Sequence, residues 1–187
     1  LISQGERGSG IVYKNDVSDD ELPKNYQSQV RNIVENSKFK GVLTGSELTD
    51  VVLTLVAGRA HEKHTEGGDF FEAVHRAVRH GLMYAKSILL EPYYDFEIDL
   101  PIENLGRLLN DLNNMNAEDI SYEGTQVIRV TGFAPTINIQ NYGSVLLSYT
   151  KGLGRIAFSL RGFLPCHNAD EIIEKCNYYP EFDVKNT

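Results

Sequence analysis

The sequence predicts an α+β protein made of two small domains. In residues 93–163 the expected elements follow the order β-α-β-β-α-β, whereas residues 1–88 alternate strands with two longer helices. Residues 88–92 interrupt the helical pattern between these parts. A chain of 187 residues is long enough for two small domains, each with its own core.

Four elements are expected in the first part. They are a short strand at 11–13, a helix from about 18 to 37, a buried strand at 50–56 and a helix at 70–86. Spacings of three and four put one apolar face on the last helix, formed by Phe71, Val74, Val78, Leu82 and Ala85. Gly81 costs this helix about 1 kcal/mol relative to alanine, which predicts close packing against a neighbour.

The second part begins with a strand at 94–100, in which apolar and polar residues alternate. A helix at 103–115, a hairpin around Glu123 and Gly124, a helical segment at 135–149 and a strand at 156–163 complete it. This order predicts a ferredoxin-like fold, with two helices on one face of a four-stranded antiparallel sheet. The tail, 164–187, is expected to hold one short helix at 169–176.

The composition excludes several classes of protein. Apolar residues make up 41% and charged residues 24%, and no apolar run reaches the length of a membrane span. The net charge of −8 argues against a general nucleic-acid binder. Residues 1–88 carry 11 basic and 12 acidic side chains, whereas residues 89–187 carry 7 and 14. Any RNA contact is therefore expected mainly in the first part.

The two cysteines, Cys166 and Cys176, predict reduced intracellular thiols and no disulfide framework. Cys166 is followed by His167, but no third catalytic partner is near in sequence, so this pair is predicted to be structural. The first residue is Leu1, which favours a piece of a longer protein.

The most informative segment is the loop at 57–68, rich in glycine, histidine and charge. His61 and His64 are three residues apart, whereas a zincin helix needs two histidines four apart with a glutamate between them, so a metal site is not favoured. Two interpretations remain open. The loop is either a solvated polar hairpin or a contact loop, in which Arg59 and Lys63 meet phosphates and the histidines stack on unpaired bases.

A second basic turn contains Lys151, Gly152, Gly154 and Arg155. It is either the cap of a helix that leads into a strand or a contact with an RNA backbone. The glycines at positions 5, 8 and 10 precede a strand rather than joining a strand to a helix, which is the wrong context for a nucleotide site. No catalytic, cofactor-binding or metal-ligating residues are therefore predicted in this chain.

A distinctive order of segments runs through the chain: residues 50–65 are followed by Asp69-Phe70 and later by Leu89-Leu90-Glu91-Pro92. In this order they resemble the end of domain IV in the elongation factor G family of translational GTPases, in which a strand leads to a tip loop, a helix and a linker. Residues 104–113, 126–129 and 149–155 resemble domain V. The resemblance covers about residues 8–163.

The resemblance implies three regions. Residues 1–88 would form a domain IV-like α/β unit of the ribosomal protein S5 domain 2-like type, with its N-terminal part missing. Residues 89–163 would form the ferredoxin-like domain V, and residues 164–187 a C-terminal extension. Such an extension is more similar to the tetracycline ribosomal-protection proteins than to the housekeeping translocase, whereas Ala60, Lys63 and His64 depart from both branches.

The resemblance also implies a function. The parent protein would hydrolyse GTP with Mg²⁺ in an N-terminal domain, and this chain would contact the ribosome as a cytoplasmic monomer without membrane partners. Domain V would lie near the stalk base and sarcin–ricin region of 23S rRNA, with the turn at 151–155 as a contact. The domain IV tip would probe the decoding region of 16S rRNA through eight residues: Gly58, Arg59, Ala60, His61, Glu62, Lys63, His64 and Thr65. The alternatives are a housekeeping translocase and, from another class, a His-based metal hydrolase.

Overall fold

A computed structural model describes residues 1–61 and 67–183. These residues form two compact units. Unit 1 contains Leu1–Ile88 and the chain from Asp170 onward, and unit 2 contains Leu89–Ala169. The predicted extension is therefore shared: residues 164–169 belong to unit 2, and the chain after them belongs to unit 1.

Unit 1 is built on a mixed three-stranded sheet. Strands β1 (Ile2–Gln4), β2 (Ile11–Asn15) and β3 (Val51–Leu55) are arranged in the order β1-β3-β2. The central strand β3 pairs antiparallel with β1 and parallel with β2. Strand β1 was not predicted, because Ile2 is its only apolar residue and its pairing partner lies about 50 residues further along the chain.

Helix α1 (Lys24–Asn36) begins six residues later than predicted. The chain first turns at residues 18–22, where the backbone N–H groups of Glu21 and Leu22 donate to the carbonyl of Ser18. This turn buries Leu22 completely. Pro23 then precedes the helix, which suits a residue that has no N–H to donate.

Helix α2 (Gly67–Tyr84) packs one face into the core of unit 1. Phe70 is buried, whereas the predicted inner residue Phe71 is 48% exposed, so the face is rotated by one position at its start. A Cβ atom on Gly81 would lie 2.7 Å from Cδ1 of Ile2, which confirms the predicted close packing. The core consists of Val17, Leu22, Val30, Val34, Phe39, Leu53, Phe70, Val78 and Leu82.

Unit 2 contains a four-stranded antiparallel sheet. Its strands are β4 (Leu90–Pro101), β5 (Glu118–Gly124), β6 (Val127–Pro135) and β7 (Arg155–Pro165), in the order β5-β6-β4-β7. Together with the intervening helices, this order confirms the predicted ferredoxin-like fold.

Strand β4 starts at Leu90, although the sequence predicts a start at Tyr94. Pro92 is tolerated because β4 has only β7 beside it at this point: pairing with β6 begins one residue later, at Tyr93. A proline can occupy a strand where its missing N–H faces no neighbouring strand.

The helices of unit 2 are α3 (Leu105–Asn114), α4 (Thr136–Ile139) and α5 (Tyr142–Tyr149). The predicted segment at 135–149 is thus two helices, and both Ile139 and Tyr142 on either side of the break are buried. The core of this unit comprises Phe96, Ile98, Leu100, Leu108, Leu112, Ile128, Val130, Ala134, Ile139, Tyr142 and Leu146. Helix α6 (Ala169–Cys176) follows, with the bounds that the sequence predicts.

Candidate functional site

The described part of the loop after β3 alternates anchored and exposed residues. Gly58 and Ala60 are half-buried, and a Cβ atom on Gly58 would lie 2.8 Å from Cδ2 of the buried Leu22. Ala60 packs against the core of unit 1. Arg59 and His61 are exposed. The backbone is thus held at two points, with the exposed Arg59 between them and the exposed His61 directly after them.

Four predicted site residues are not part of this description. Glu62, Lys63, His64 and Thr65 lie outside the described residues, so their roles stay predictions. Among the predicted tip residues, the structure therefore describes Gly58, Arg59, Ala60 and His61.

Buried Asp50 fixes the backbone at the start of β3. Its Oδ1 accepts hydrogen bonds from the N–H groups of Gly8 at 3.0 Å and Gly10 at 3.4 Å, and from the hydroxyl of Thr49 at 3.0 Å. Its Oδ2 lies 3.6 Å from Nη1 of Arg7. The glycine cluster at 5–10 thus wraps around a carboxylate of the same unit.

Sequence reasoning missed this role of Asp50. The residue has φ of 57°, a conformation that aspartate and asparagine adopt more readily than most residues. Asp50 directly precedes the strand that leads to the loop, so its hydrogen bonds position that strand. A buried acid that follows a glycine cluster by 40 residues gives no local signal in a single sequence.

The chain after α6 is fastened to unit 1 by buried Arg79. Nη2 of Arg79 donates to the hydroxyl of Tyr178 and to the carbonyl of Pro180, each at 2.8 Å. The Tyr178 hydroxyl donates to Oδ2 of Asp183, also at 2.8 Å. The Tyr178 ring also lies against Gly45, where a Cβ atom would be 3.0 Å from Cε2.

His75 lies on α2 between two aromatic rings. Its ring centroid is 4.8 Å from that of Phe39 and 4.3 Å from that of Phe71, and its Nε2 is 3.3 Å from Oγ of Ser37. Burial lowers the pKa of His75 below its ordinary value of 6.5, and the charge of Glu72 opposes this only in part. The folded protein therefore holds this imidazole neutral more readily than the unfolded chain does.

Unit 1 is accordingly expected to lose stability as the pH falls below about 6.5, because the unfolded chain then binds a proton that the folded state takes up only at lower pH. Urea unfolding at pH 7.5 and 5.5 measures the loss. The variant His75→Gln cannot titrate and should show a smaller difference between the two pH values. Equal differences in the two proteins would contradict this role for His75.

The turn after α5 is a helix cap, as one of the two interpretations of the sequence predicts. Lys151 and Gly152 have φ of 54° and 84°, and the N–H of Gly152 donates to the carbonyl of Leu147 at 2.8 Å, which is the Schellman pattern. Buried Thr150 accepts from the N–H of Gly154 at 2.8 Å and donates to the carbonyl of Leu146 at 2.6 Å.

This cap exposes the two basic side chains of the turn. Lys151 and Arg155 are exposed, whereas Gly154 is buried and holds the turn against the core. The turn can therefore serve both as a helix cap and as a contact with an RNA backbone, because a rigid turn presents two cations to solvent.

Comparison with known proteins identifies the two units. A family model described as "Elongation factor G, domain IV" matches residues 2–86, and one described as "Elongation factor G C-terminus" matches residues 88–172. Together the two matches cover both units and assign them to the C-terminal domains of a translation-factor family. The chain belongs to the elongation factor G family, and the predicted resemblance and fold class are confirmed.

Two known proteins are similar to this chain. Tetracycline resistance protein TetP from Clostridium perfringens is 30% identical over 166 residues, which is 87% of this chain and 25% of that protein. A solved crystal structure from Thermus thermophilus shares the fold, with a TM-score of 0.79 and 21% identity over 91% of this chain and 26% of that one. The chain thus spans about a quarter of the length of these two proteins. Within the described residues, none of the helices combines the length and apolar character that crossing a membrane requires.

Proposed function

We propose that this chain is the ribosome-contacting C-terminal part of a translational GTPase of the tetracycline ribosomal-protection type. The loop after β3 enters the decoding region of 16S rRNA, and the turn after α5 meets 23S rRNA near the stalk base and sarcin–ricin region. GTP, with Mg²⁺, is hydrolysed by a domain outside this chain. The protein acts in the cytoplasm as a monomer. The choice of the ribosomal-protection branch is supported by the similar protein that is named a tetracycline resistance protein.

The observation that carries the proposal is the anchoring of the tip loop. Gly58 rests on Leu22 and Ala60 on the core, while Arg59 and His61 are exposed between and beyond them. A loop on a rigid scaffold can present side chains without a large entropy cost on binding. Arginine pairs with phosphate, and histidine stacks on unpaired bases, which are the usual means of recognising single-stranded RNA.

The local charge fits this role better than the net charge of the chain does. The −8 is carried mainly by residues 89–187, which hold 14 acidic and 7 basic side chains. The described part of the loop carries one cation, Arg59. At the start of the preceding strand, β3, the charge of Asp50 is offset by Arg7. Recognition would thus depend on a few placed cations and on shape.

The first experiment measures binding of the parent protein to 70S ribosomes. Arg59→Gln is expected to weaken binding about tenfold and to reduce the dependence of log affinity on log salt by about one phosphate contact. Arg76→Gln is the matched control, since Arg76 is also an exposed arginine of unit 1 but pairs with Glu72 on α2 at 3.4 Å. Equal binding by the two variants would overturn the tip assignment.

The second experiment separates the branches. A protection factor restores translation on tetracycline-stalled ribosomes, and His61→Ala should reduce this activity. A housekeeping translocase, the alternative that the elongation factor G family matches favour, instead drives translocation on ribosomes without drug. A protein that does neither contradicts the proposal. The metal-hydrolase alternative requires stoichiometric zinc that is lost on His61→Ala.

Lys151 allows the two roles of the second turn to be separated. Lys151→Gly removes a left-handed non-glycine residue and is expected to raise the free energy of unfolding of unit 2 by about 0.5–1 kcal/mol. The same change removes a cation and is expected to weaken ribosome binding. In this one variant the free energy of unfolding, measured with urea, should therefore rise, while the affinity measured in a ribosome-binding assay should fall. Unchanged binding would leave this turn as a cap alone.

A further inference from the structure

Three potential metal-binding side chains meet where β4 begins and β7 ends. Leu90 pairs with Pro165 and Glu91 with Leu164, and the N–H of Cys166 then donates to the carbonyl of Leu89 at 2.9 Å. This ladder carries Cys166 and His167 back to the start of β4. Glu91, 75 residues earlier in the chain than Cys166, thereby becomes their neighbour.

Glu91 is the centre of this group. Its Oε1 accepts a hydrogen bond from the backbone N–H of His167 at 2.7 Å and lies 2.6 Å from Nδ1 of the same residue. The side chains of Glu91 and His167 are 13% and 18% exposed, although His167 taken with its backbone is an exposed residue. The thiol of Cys166 and the hydroxyl of Tyr93 also lie near this carboxylate.

The three groups offer one carboxylate oxygen, one thiol sulfur and one imidazole nitrogen. These atoms all lie within 4.8 Å of one another. Nitrogen, sulfur and oxygen ligands of this kind are those of Zn²⁺, with distances of about 2.0 Å to nitrogen and 2.3 Å to sulfur. We propose that Glu91, Cys166 and His167 form a binding site for a zinc-type divalent metal ion in unit 2. This site is separate from the ribosome contacts proposed above.

The geometry needs only small side-chain movements to accept a metal. Ligand atoms around a tetrahedral Zn²⁺ are about 3.3–3.7 Å apart, as follows from the bond lengths. The Nδ1–Oε1 separation of 2.6 Å would therefore lengthen by somewhat less than about 1 Å. The widest separation among the three ligand atoms, which is at most 4.8 Å, would shorten by about 1 Å. The backbone ladder that fixes all three residues would stay intact.

The charge balance also works. A metal would displace the proton of the Cys166 thiol to solvent, and the single proton of a neutral His167 ring would move from Nδ1 to Nε2. Nε2 lies 3.4 Å from the amide nitrogen of Asn138, which donates to the carbonyl of Met115 at 3.1 Å. The new Nε2–H group would therefore donate to solvent, because the other nitrogen of a metal-bound histidine normally donates a hydrogen bond.

The competing explanation is a hydrogen-bond cluster that only ties the ends of β4 and β7 together. The two explanations differ in what Cys166 does. In a hydrogen-bond cluster its thiol donates weakly to Oδ1 of Asn168 at 3.4 Å, and serine replaces it without loss. In a metal site its thiolate is a ligand, and serine is a much poorer one.

The test is a titration of the 187-residue chain with Co²⁺, a spectroscopic substitute for Zn²⁺. Binding of one equivalent is expected, with a near-ultraviolet thiolate-to-cobalt absorption band and competition by Zn²⁺. Cys166→Ser should remove the band and weaken Co²⁺ binding by at least about tenfold. Cys176→Ser is the matched control, because Cys176 is the other free cysteine and is exposed on α6; this variant should keep the band.

Two further variants complete the design. Glu91→Gln is expected to weaken Co²⁺ binding, with far-UV circular dichroism showing whether the fold is kept. His61→Ala, in the tip loop, should leave the band unchanged, whereas a loss there would place the metal in unit 1 and overturn the assignment. A band that survives Cys166→Ser, or no saturable binding at micromolar Co²⁺, would also overturn it. Ribosome binding is not needed for any of these readouts.

Discussion

Asp50→Ala is expected to lower the free energy of unfolding of unit 1 by about 3–4 kcal/mol. The change removes a buried carboxylate and leaves the N–H groups of Gly8 and Gly10, together with the guanidinium of Arg7, without their acceptor. Alanine also tolerates φ of 57° less well than aspartate does. The chain has no tryptophan, so urea unfolding followed by circular dichroism is the direct measurement.

Asp50→Asn is the control for this prediction. Its side-chain oxygen can still accept the two glycine N–H groups, and asparagine also tolerates the left-handed conformation. Only the charge opposite Arg7 is lost, so the loss of stability should be about half that of the alanine variant. A loss below about 1 kcal/mol for Asp50→Ala would show that the glycine loop does not depend on this carboxylate.

Gly154→Ala is expected to lower the free energy of unfolding of unit 2 by about 2–3 kcal/mol. The added Cβ would lie 2.7 Å from Cγ of Leu146 and 2.8 Å from Oγ1 of Thr150, both of them buried. Leu146 belongs to the core, and Thr150 holds the turn through the N–H of Gly154 itself. No flexible surface atom can move aside to accept the methyl group.

Gly152→Ala is the matched control for Gly154→Ala. Gly152 has φ of 84°, but a Cβ there would meet nothing within 4 Å. Its cost should therefore be that of conformational strain alone, about 1 kcal/mol. Circular dichroism during urea unfolding measures both variants, and equal losses would show that crowding against Leu146 and Thr150 is not important.

The elements predicted best are those with a strong local pattern. The strict alternation at 94–100 and the spacing of leucines in 103–115 predict one strand and one helix of unit 2, and the structure has β4 and α3 at these positions. Helix α6 was predicted with its observed bounds. These signals are local because side-chain period follows directly from backbone geometry.

The elements missed depend on partners that are distant in sequence. Strand β1 exists because Ile2–Gln4 pairs with β3, and β4 extends over Pro92 because β7 lies on one side only. Phe70 replaces Phe71 in the core, where its ring stacks on that of Tyr26 in α1 with the centroids 5.1 Å apart. Each outcome is decided by packing that a single sequence does not display.

The candidate site was likewise predictable only where its residues are close together in sequence. The loop after β3 could be singled out from its glycine, histidine and charge content, and the turn at 151–155 from its glycines. The hydrogen bonds of Asp50 and the approach of Glu91 to Cys166 could not be foreseen, because they join residues 40 or more positions apart. Glu91 lies beside Cys166 and His167 although it is distant in sequence, and the prediction that this pair is structural stays a prediction.

The bond between Arg79 and the tail has a consequence for how the protein is made. Tyr178 and Pro180 follow Arg79 by 99 and 101 residues, so the whole of unit 2 is synthesised between the two halves of this contact. Unit 2 is continuous in sequence, whereas unit 1 can form this contact only after residues 178–180 have been synthesised. Until then the guanidinium of Arg79 lacks both acceptors, so we expect unit 1 to be less stable before this contact forms than after it.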